Sequence, residues 1–482
     1  MYRLLVSHRE KKKTILANHG DNILALLRKN GILVRADCGG NGTCKKCKVI
    51  YGEEEVLACQ SFVDGEKEIQ VDAVFEAFPK ESKGIIKEGE YGIALDLGTT
   101  TLAAALVLLA DGSTVEEISV LNPQSIYGAD VISRIQKAGE GHLADLASIV
   151  IAKINEIIKI FKDKYNLDSI NKMSLAGNTV MLHIITKTDP SGLGKYPFTP
   201  VFLEGRRCQG RKLGLDVEEV QILPSIGSFL GADISTGILA CDLLETDKTV
   251  LMVDLGTNGE VILKTKSGFY GASTAAGPAF EGARIECGTG GIPGAIATMI
   301  YDKGELSYQT VADLLPIGIC GSGLLDLISI LVSEEIIDES GCFQKSKSPL
   351  SKYLHDERFY FYPDLYLSQR DVREFQLAKS AIASGIQTLM QETGTTDLDQ
   401  IYLAGGFGFY LNKSSALRCG LLPEISEERI ISVGNTSLQG LKKVLMQEES
   451  YKTCEAVAQS VSIIELDNNR FFKDYFLKNM FF

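Results

Sequence analysis

The sequence predicts two kinds of fold in one chain: a small α+β domain built around a four-cysteine loop, and behind it an α/β module made of two similar halves. Three observations predict this. Cysteines crowd the glycine-rich stretch "ADCGGNGTCKKCKV" (Ala36 to Val49), with a fourth close behind at Cys59. An apolar strand enters Asp-Leu-Gly-Thr and leaves as another apolar strand twice, in "YGIALDLGTTTLAAALV" (Tyr91 to Val107) and "TVLMVDLGTNGEVILKT" (Thr249 to Thr265). A third apolar strand runs into a glycine turn in "IYLAGGFGFYLN" (Ile401 to Asn412).

In the small domain, "YRLLVSH" and "KKTILAN" read as paired strands. "DNILALLRKNG" reads as a helix with Asp21 or Asn22 as N-cap and Gly31 as terminator. The cysteine loop follows, then strands in "CKVIYG", "LACQSF" and "EIQVDAV", an order that resembles a β-grasp ferredoxin. Cys38, Cys44, Cys47 and Cys59 are spaced C-x5-C-x2-C-x11-C. A [2Fe–2S] cluster takes four thiolates in such a pattern, whereas structural zinc, the rival reading, more often shows two C-x2-C pairs. Gly39, Gly40 and Gly42 let the loop wrap closely with its amides turned inward. The domain is placed at residues 1–78. Residues 79–90, from the charged stretch "FPKESKGIIKEGE", read as a linker that lets it move.

The chain has 482 residues, 45% hydrophobic and 23% charged, as in an ordinary soluble protein. Its net charge of −13 lies downstream of a nearly neutral first ninety residues, which argues against a nucleic-acid partner. "REKKK" (Arg9 to Lys13) reads as a solvated turn. "IGICGSGLLDLISILV" (Ile317 to Val332), with Asp326 and its glycines, reads as a turn entering a buried helix, with no membrane partner expected. Eleven cysteines without a recognisable secretion signal point to a reducing cytoplasm. Most of the seven scattered thiols from Cys208 to Cys454 are expected to be small buried hydrophobes.

Each Asp-Leu-Gly-Thr tip offers backbone N–H groups and a carboxylate, a nest for phosphate with its metal ion. One copy is weak evidence; two, about 160 residues apart between apolar strands, suggest a duplicated domain with phosphates held between its halves. "KMSLAGNTVMLHI" (Lys172 to Ile184) is expected to be a strand–turn–helix joining the lobes. The order of these pieces resembles the superfamily of actin, Hsp70 chaperones and sugar kinases, two ribonuclease-H-like lobes closing on Mg–ATP. The resemblance places lobe one at about 91–245 and lobe two at about 246–482. It implies that Asp96 and Asp254 organise Mg2+, and that Gly98, Thr99, Thr100, Gly256, Thr257 and Asn258 wrap the phosphates. Gly405, Gly406 and Phe407 would lie along the adenosine. Glu260 would position the attacking water, or else face solvent from its strand.

A ferredoxin-like domain fused to an ATP module resembles the reductive activators of corrinoid-dependent methyltransferases. The likeness extends through "LPSIGSFLGADISTGIL" (Leu223 to Leu239), "GASTAAGPAFEGARIECGTGGIPGAIA" (Gly271 to Ala297), "ICGSGLLD" (Ile319 to Asp326) and "SQRDVREFQLAKSAIASGI" (Ser368 to Ile386). It implies a [2Fe–2S] cluster and ATP with Mg2+ as cofactors, a corrinoid protein as partner and an upstream low-potential electron donor; it also allows a homodimer. The implied activity returns one electron to Co(II) to restore Co(I). That step is uphill from a centre near ~−400 mV, and each ~59 mV of deficit is a factor of ten. Two departures stand out: larger members carry an extra domain before the ATP module, and the Cys47–Cys59 segment is trimmed. Rival readings are a sugar-kinase-like phosphotransferase with a regulatory iron–sulfur domain, an ATP-gated donor to another low-potential enzyme, and a non-catalytic ATP switch. His183, Cys287 and Cys320 are expected to be structural. The charges of Asp371, Arg373 and Glu374 either cap a helix or reach nucleotide, and the aromatic "NNRFFKDYFLKNMFF" is expected to pack or dock.

Overall fold

The computed structural model describes residues 1–8, 11–30, 32, 34, 42, 47–71, 78–79, 89–256 and 258–482. In the small domain β1 (Tyr2–His8) and β2 (Lys11–Ala17) pair antiparallel with Leu4 opposite Ile15. Alternation fixes this register: Leu4, Val6, Ile15 and Ala17 enter the core while Arg3, Thr14 and Leu16 stay exposed. Lys11, Lys12 and Lys13 therefore open a strand instead of forming the expected turn; Arg9 and Glu10 lie outside the described residues. Helix α1 (Ile23–Lys29) is capped by Asn22, whose Oδ1 accepts from the Ala25 N–H at 3.1 Å. Asp21, the other candidate cap, accepts from the Asn18 N–H. Gly31 lies outside the described residues. β3 (Lys48–Tyr51) and β4 (Glu54–Leu57) form a second hairpin. β5 (Ile69–Gln70) slots between β1 and β3, parallel to the first, giving the order β2-β1-β5-β3-β4 of a β-grasp. "LACQSF" contributes only Leu57 to a strand, and Ala58 to Gln60 form a turn. At the head of the expected linker, β6 (Phe78–Pro79) pairs with Ser119 and Ile118.

Two compact units follow from chain contacts, Met1–Asp233 with Leu441–Glu455, and Ile234–Gly440 with Ala456–Phe482. In the first, β7 (Tyr91–Leu97), β8 (Thr101–Leu108) and β9 (Thr114–Leu121) form an antiparallel meander. The chain continues through α2 (Val131–Lys137), α3 (Leu143–Tyr165), β10 (Lys172–Gly177), α4 (Thr179–Ile185), β11 (Arg206–Gln209), α5 (Gly210–Leu213) and β12 (Glu219–Ile222). β10 lies parallel to β7, and β12 parallel to β10. β7 is apolar almost throughout because side chains on both of its faces are buried. α3 buries Leu146, Val150, Ile154, Ile157, Phe161 and Tyr165, a stripe at helical spacing.

The second unit opens with most of α6 (Ala232–Ala240) and repeats the plan: β13 (Val250–Leu255), β14 (Gly259–Thr265) and β15 (Gly268–Thr274) form a meander. Between that meander and its fourth strand come β16 (Ala295–Asp302), β17 (Glu305–Thr310), β18 (Gly318–Ile319), α7 (Gly321–Ser333), β19 (Leu354–His355), β20 (Arg358–Tyr362), β21 (Leu365–Ser368) and α8 (Gln369–Thr393). β22 (Gln400–Ala404) then lies parallel to β13; after α9 (Gly405–Tyr410) and α10 (Lys413–Arg418), β23 (Ile430–Gly434) lies parallel to β22. α11 (Thr436–Met446), α12 (Glu448–Ser460), β24 (Val461–Ile463) and α13 (Arg470–Lys478) complete the chain. Each sheet thus carries a meander whose first strand leads into two parallel strands, the ribonuclease-H-like arrangement in duplicate. The division runs through α6, α11 and α12, returning Leu441–Glu455 to the first unit, which a linear cut near residue 245 does not anticipate. "KMSLAGNTVMLHI" is likewise the fourth strand and following helix of the first unit, not a joiner of lobes: β10 hydrogen-bonds along β7 from Lys172 to Gly177.

Candidate functional site: a ligand hairpin and two phosphate hairpins

The β3–β4 hairpin brings Cys47 and Cys59 together. Lys48 pairs with Leu57, and just beyond it the Ala58 N–H donates to the Cys47 carbonyl at 2.8 Å. Both cysteines are nearly sealed from solvent, at 1% and 8% exposure. The turn after β4 is pinned from the helix side: the Leu24 N–H donates to the Ala58 carbonyl, and Asn22 Nδ2 donates to the Cys59 carbonyl at 2.9 Å. Asn22 thus caps α1 and holds the cysteine turn at once. Gln60 Nε2 donates to Cys59 Sγ at 3.7 Å. Cys38, Cys44 and the loop between them, save Gly42, lie outside the described residues. The two placed thiols are buried, and Cys59 is served by an amide donor, which fits the soft donor set that an iron–sulfur cluster takes.

Asp96 stands near the end of β7, before a turn that only glycine fits: a Cβ on Gly98 would lie 2.5 Å from the Thr101 carbonyl oxygen. Residues the sequence reading missed hold this turn from outside. Arg134, fully buried on α2, donates through Nη2 to the Thr99 carbonyl at 2.7 Å, through Nε to the Gly128 carbonyl and through Nη1 to Gln124 Oε1. Asn122 Nδ2 donates to the Gly98 carbonyl at 2.8 Å, and Asn178 Nδ2 to Thr99 Oγ1 at 2.7 Å. The Asn122 N–H donates to the Thr100 carbonyl. A signal existed: Arg134 falls among Val131, Ile135 and Ala138 on one helical face, where a lone arginine is out of place unless it serves buried carbonyls.

In the second unit Asp254 occupies the same point on β13, and Glu260 stands directly opposite it on β14. Cross-strand partners share a face, so the two carboxyl groups spring from Cβ atoms about 4.5–5.5 Å apart. The first hairpin lacks this pairing, since Ala103 faces Asp96. The Gly256 N–H donates to the Asn258 carbonyl across the tip; Thr257 lies outside the described residues. The glycine turn after β22 closes directly on this carboxylate: a Cβ on Gly405 would lie 2.6 Å from Asp254 Oδ1 and 2.9 Å from the Leu255 carbonyl, at φ +83°. Gly406 has open space before it. The Phe407 ring stacks on Phe280 at 4.9 Å, so that ring is engaged within the protein.

The remaining candidates are structural. His183 is fully buried; its Nδ1 donates to the Thr179 carbonyl, its Nε2 accepts from the Val201 N–H, and it stacks on Phe202. Burial pushes its imidazole below the ordinary value. Asp371 completes a capping box with Ser368 at the head of α8 and accepts from the Glu286 N–H; burial raises its carboxyl above the usual range. Arg373 donates to the Ser340 carbonyl and Gln376, and Glu374 lies 3.8 Å from Arg284. Cys287 accepts from the Tyr366 N–H, and Cys320 lies at 3.4 Å from the Ser322 hydroxyl. Of the seven scattered thiols only Cys320, Cys419 and Cys454 are buried, and Cys208, Cys241, Cys287 and Cys342 are partly exposed, contrary to expectation; burial pushes the Cys419 and Cys454 thiols up to about 12. The aromatic tail docks on α8, where Gln376 and Lys379 donate to the Met480 and Phe481 carbonyls. Among the described residues no helix is long and apolar enough to cross a membrane.

Comparison with known proteins agrees with these pieces. Residues 6–73 match a 2Fe-2S iron-sulfur cluster binding domain, 91–246 the RACo middle region, and 248–482 the C-terminal domain of RACo, the ASKHA domain. The corrinoid activation enzyme RamQ of Eubacterium limosum is 33% identical over 87% of this chain and 75% of its own length. A reductase of a methylated-amine-specific Co(II) corrinoid protein from Methanosarcina barkeri is 25% identical over 77% of this chain and 73% of its own. The solved structure of a reductive activator for a corrinoid, iron-sulfur protein superposes with a TM-score of 0.75 at 25% identity, covering all of this chain and 98% of that one. The chain belongs to the family of reductive activators of corrinoid proteins, with a 2Fe-2S domain ahead of an ASKHA module.

Proposed function

We propose that this chain reduces the Co(II) corrinoid of a partner protein to Co(I) at the expense of ATP, restoring a methyl carrier for methyl transfer. The observation that carries the reading is the union on one polypeptide of the Cys47–Cys59 ligand hairpin with two Asp-Leu-Gly-Thr hairpins at the same place in duplicate sheets. The relatives' corrinoid chemistry supports it.

A bound [2Fe–2S] cluster supplies one-electron chemistry at low potential. In this reading Cys38, Cys44, Cys47 and Cys59 hold it, and an upstream low-potential donor provides the electron. Co(II) gains that electron while ATP and water become ADP and phosphate. Asp96 and Asp254 are the carboxylates that would hold Mg2+. The Gly98–Thr100 amides and those of Thr257 and Asn258 would bind phosphate oxygens, with Gly256 shaping the tip through its own bond to the Asn258 carbonyl, and Gly405, Gly406 and the Phe407 backbone would lie along the adenosine. Glu260, opposite Asp254 on the neighbouring strand, would orient the attacking water. The site is cytoplasmic and the protein works alone or as a homodimer.

Two variants test it. Cys44→Ala should abolish Co(II) reduction and leave ATP binding intact; Asp254→Ala should lose ATP binding and keep the cluster's visible spectrum. Loss of both properties in either variant would refute separable modules.

A further inference from the structure

We infer that Gln60 tunes the reduction potential of the iron–sulfur centre through its side-chain amide. The inference rests on the reading of Cys59 as a cluster ligand and goes beyond it to a residue that holds no metal. Gln60 Nε2 donates to Cys59 Sγ at 3.7 Å, an ordinary distance for a sulfur acceptor. The amide does not reach the sulfur by chance, because the turn beneath it is locked. The Gln60 N–H donates to the Leu57 carbonyl at 2.8 Å, Ser61 Oγ donates to the same carbonyl, and Asn22 holds the Cys59 carbonyl.

The backbone of Gly42 approaches the same side chain from another direction. Gly42, of the ligand loop, adopts φ +78°, and a Cβ there would stand 3.0 Å from Gln60 Nε2 and 3.1 Å from its Cδ. The amide therefore lies beside Gly42 as well as the sulfur. Any side chain at position 42 would press on the donor, so the glycine serves this contact as well as the turn.

The physical consequence follows from charge. Reduction adds an electron that spreads over the sulfurs, and an N–H aimed at a ligand sulfur stabilises the more negative state. Gln60 thus raises the potential and makes the centre easier for its donor to fill. Gln60 is exposed at the protein surface, so its influence is a modest one. Gln60 is a positioning residue for electron density, not a ligand.

The test is a dye-mediated redox titration of the full-length protein, purified anaerobically and followed by visible absorbance. Gln60→Leu keeps the side chain's bulk and removes the donor. At the wild-type midpoint its reduced-to-oxidised ratio should fall about tenfold, equivalent to ~59 mV for one electron, with iron content unchanged. Gly42→Ala should shift the midpoint in the same direction by less, and the double variant should match Gln60→Leu, since the methyl acts only through the amide. An unchanged or raised midpoint in Gln60→Leu, or loss of iron from it, would overturn the assignment. A wild-type protein that holds zinc and no iron would instead overturn the reading of Cys59 on which it rests.

Discussion

Replacing Gly405 by alanine adds one methyl group at the point where the glycine turn after β22 meets the Asp254 carboxylate. Two effects follow. At φ +83° an L-residue costs about 1–2 kcal/mol more than glycine. The new Cβ would also lie 2.6 Å from Asp254 Oδ1 and 2.9 Å from the Leu255 backbone carbonyl. The carboxylate can retreat by most of an ångström, but the backbone oxygen, fixed in β13, cannot. Together these costs come to about 1–3 kcal/mol, a fall in melting temperature of roughly 2–12 °C for a unit of this size. A misplacement near 1 Å at a group that must meet its ligand costs on the order of 100-fold, so ATP affinity by calorimetry should fall about 10- to 100-fold. Gly406→Ala is the control: with open space before it, stability should hold while a purine lying over that position is displaced. Full ATP affinity in folded Gly405→Ala would refute the idea that Asp254 and the glycine turn serve one ligand.

Arg134→Lys should destabilise the protein by about 2–4 kcal/mol in thermal melts and weaken ATP binding, because one ammonium cannot serve the Thr99 and Gly128 carbonyls and Gln124 together. His183 has its imidazole pushed down by burial, so its contribution to stability is present above the unfolded value of 6.5 and lost as pH falls through the lower folded value. Urea midpoints at pH 5.5 and 7.5 should differ more for wild type than for His183→Gln. Lys379, whose ammonium burial lowers to about 8, should cost stability below that pH and recover it as pH rises from 8 towards 10.5. The wild type should therefore gain stability relative to Lys379→Met over that window; a flat difference would refute the buried-ammonium account.

Much of this architecture was legible because its signals are local. Asn22 as a cap, the Cys47–Cys59 hairpin and the two Asp-Leu-Gly-Thr tips are each written in a dozen adjacent residues, and spacing or alternation reveals them. What was not legible depends on partners far apart in the chain. Arg134 reaches Thr99, 35 residues away, and the aromatic tail reaches Gln376 from Met480, 104 residues away. The return of Leu441–Glu455 to the first unit and the placement of β10 beside β7 are choices of sheet order, which periodicity does not specify. Gln60 carried no signal beyond standing next to a cysteine.

The central claim is tested most directly by mixing the reduced protein anaerobically with a Co(II) corrinoid protein and following the cobalt absorbance with and without γ-labelled ATP. The account predicts conversion to Co(I) that requires ATP, with the label released as inorganic phosphate. Phosphate transferred to a sugar or acid while cobalt stays Co(II), or reduction indifferent to ATP, would contradict it.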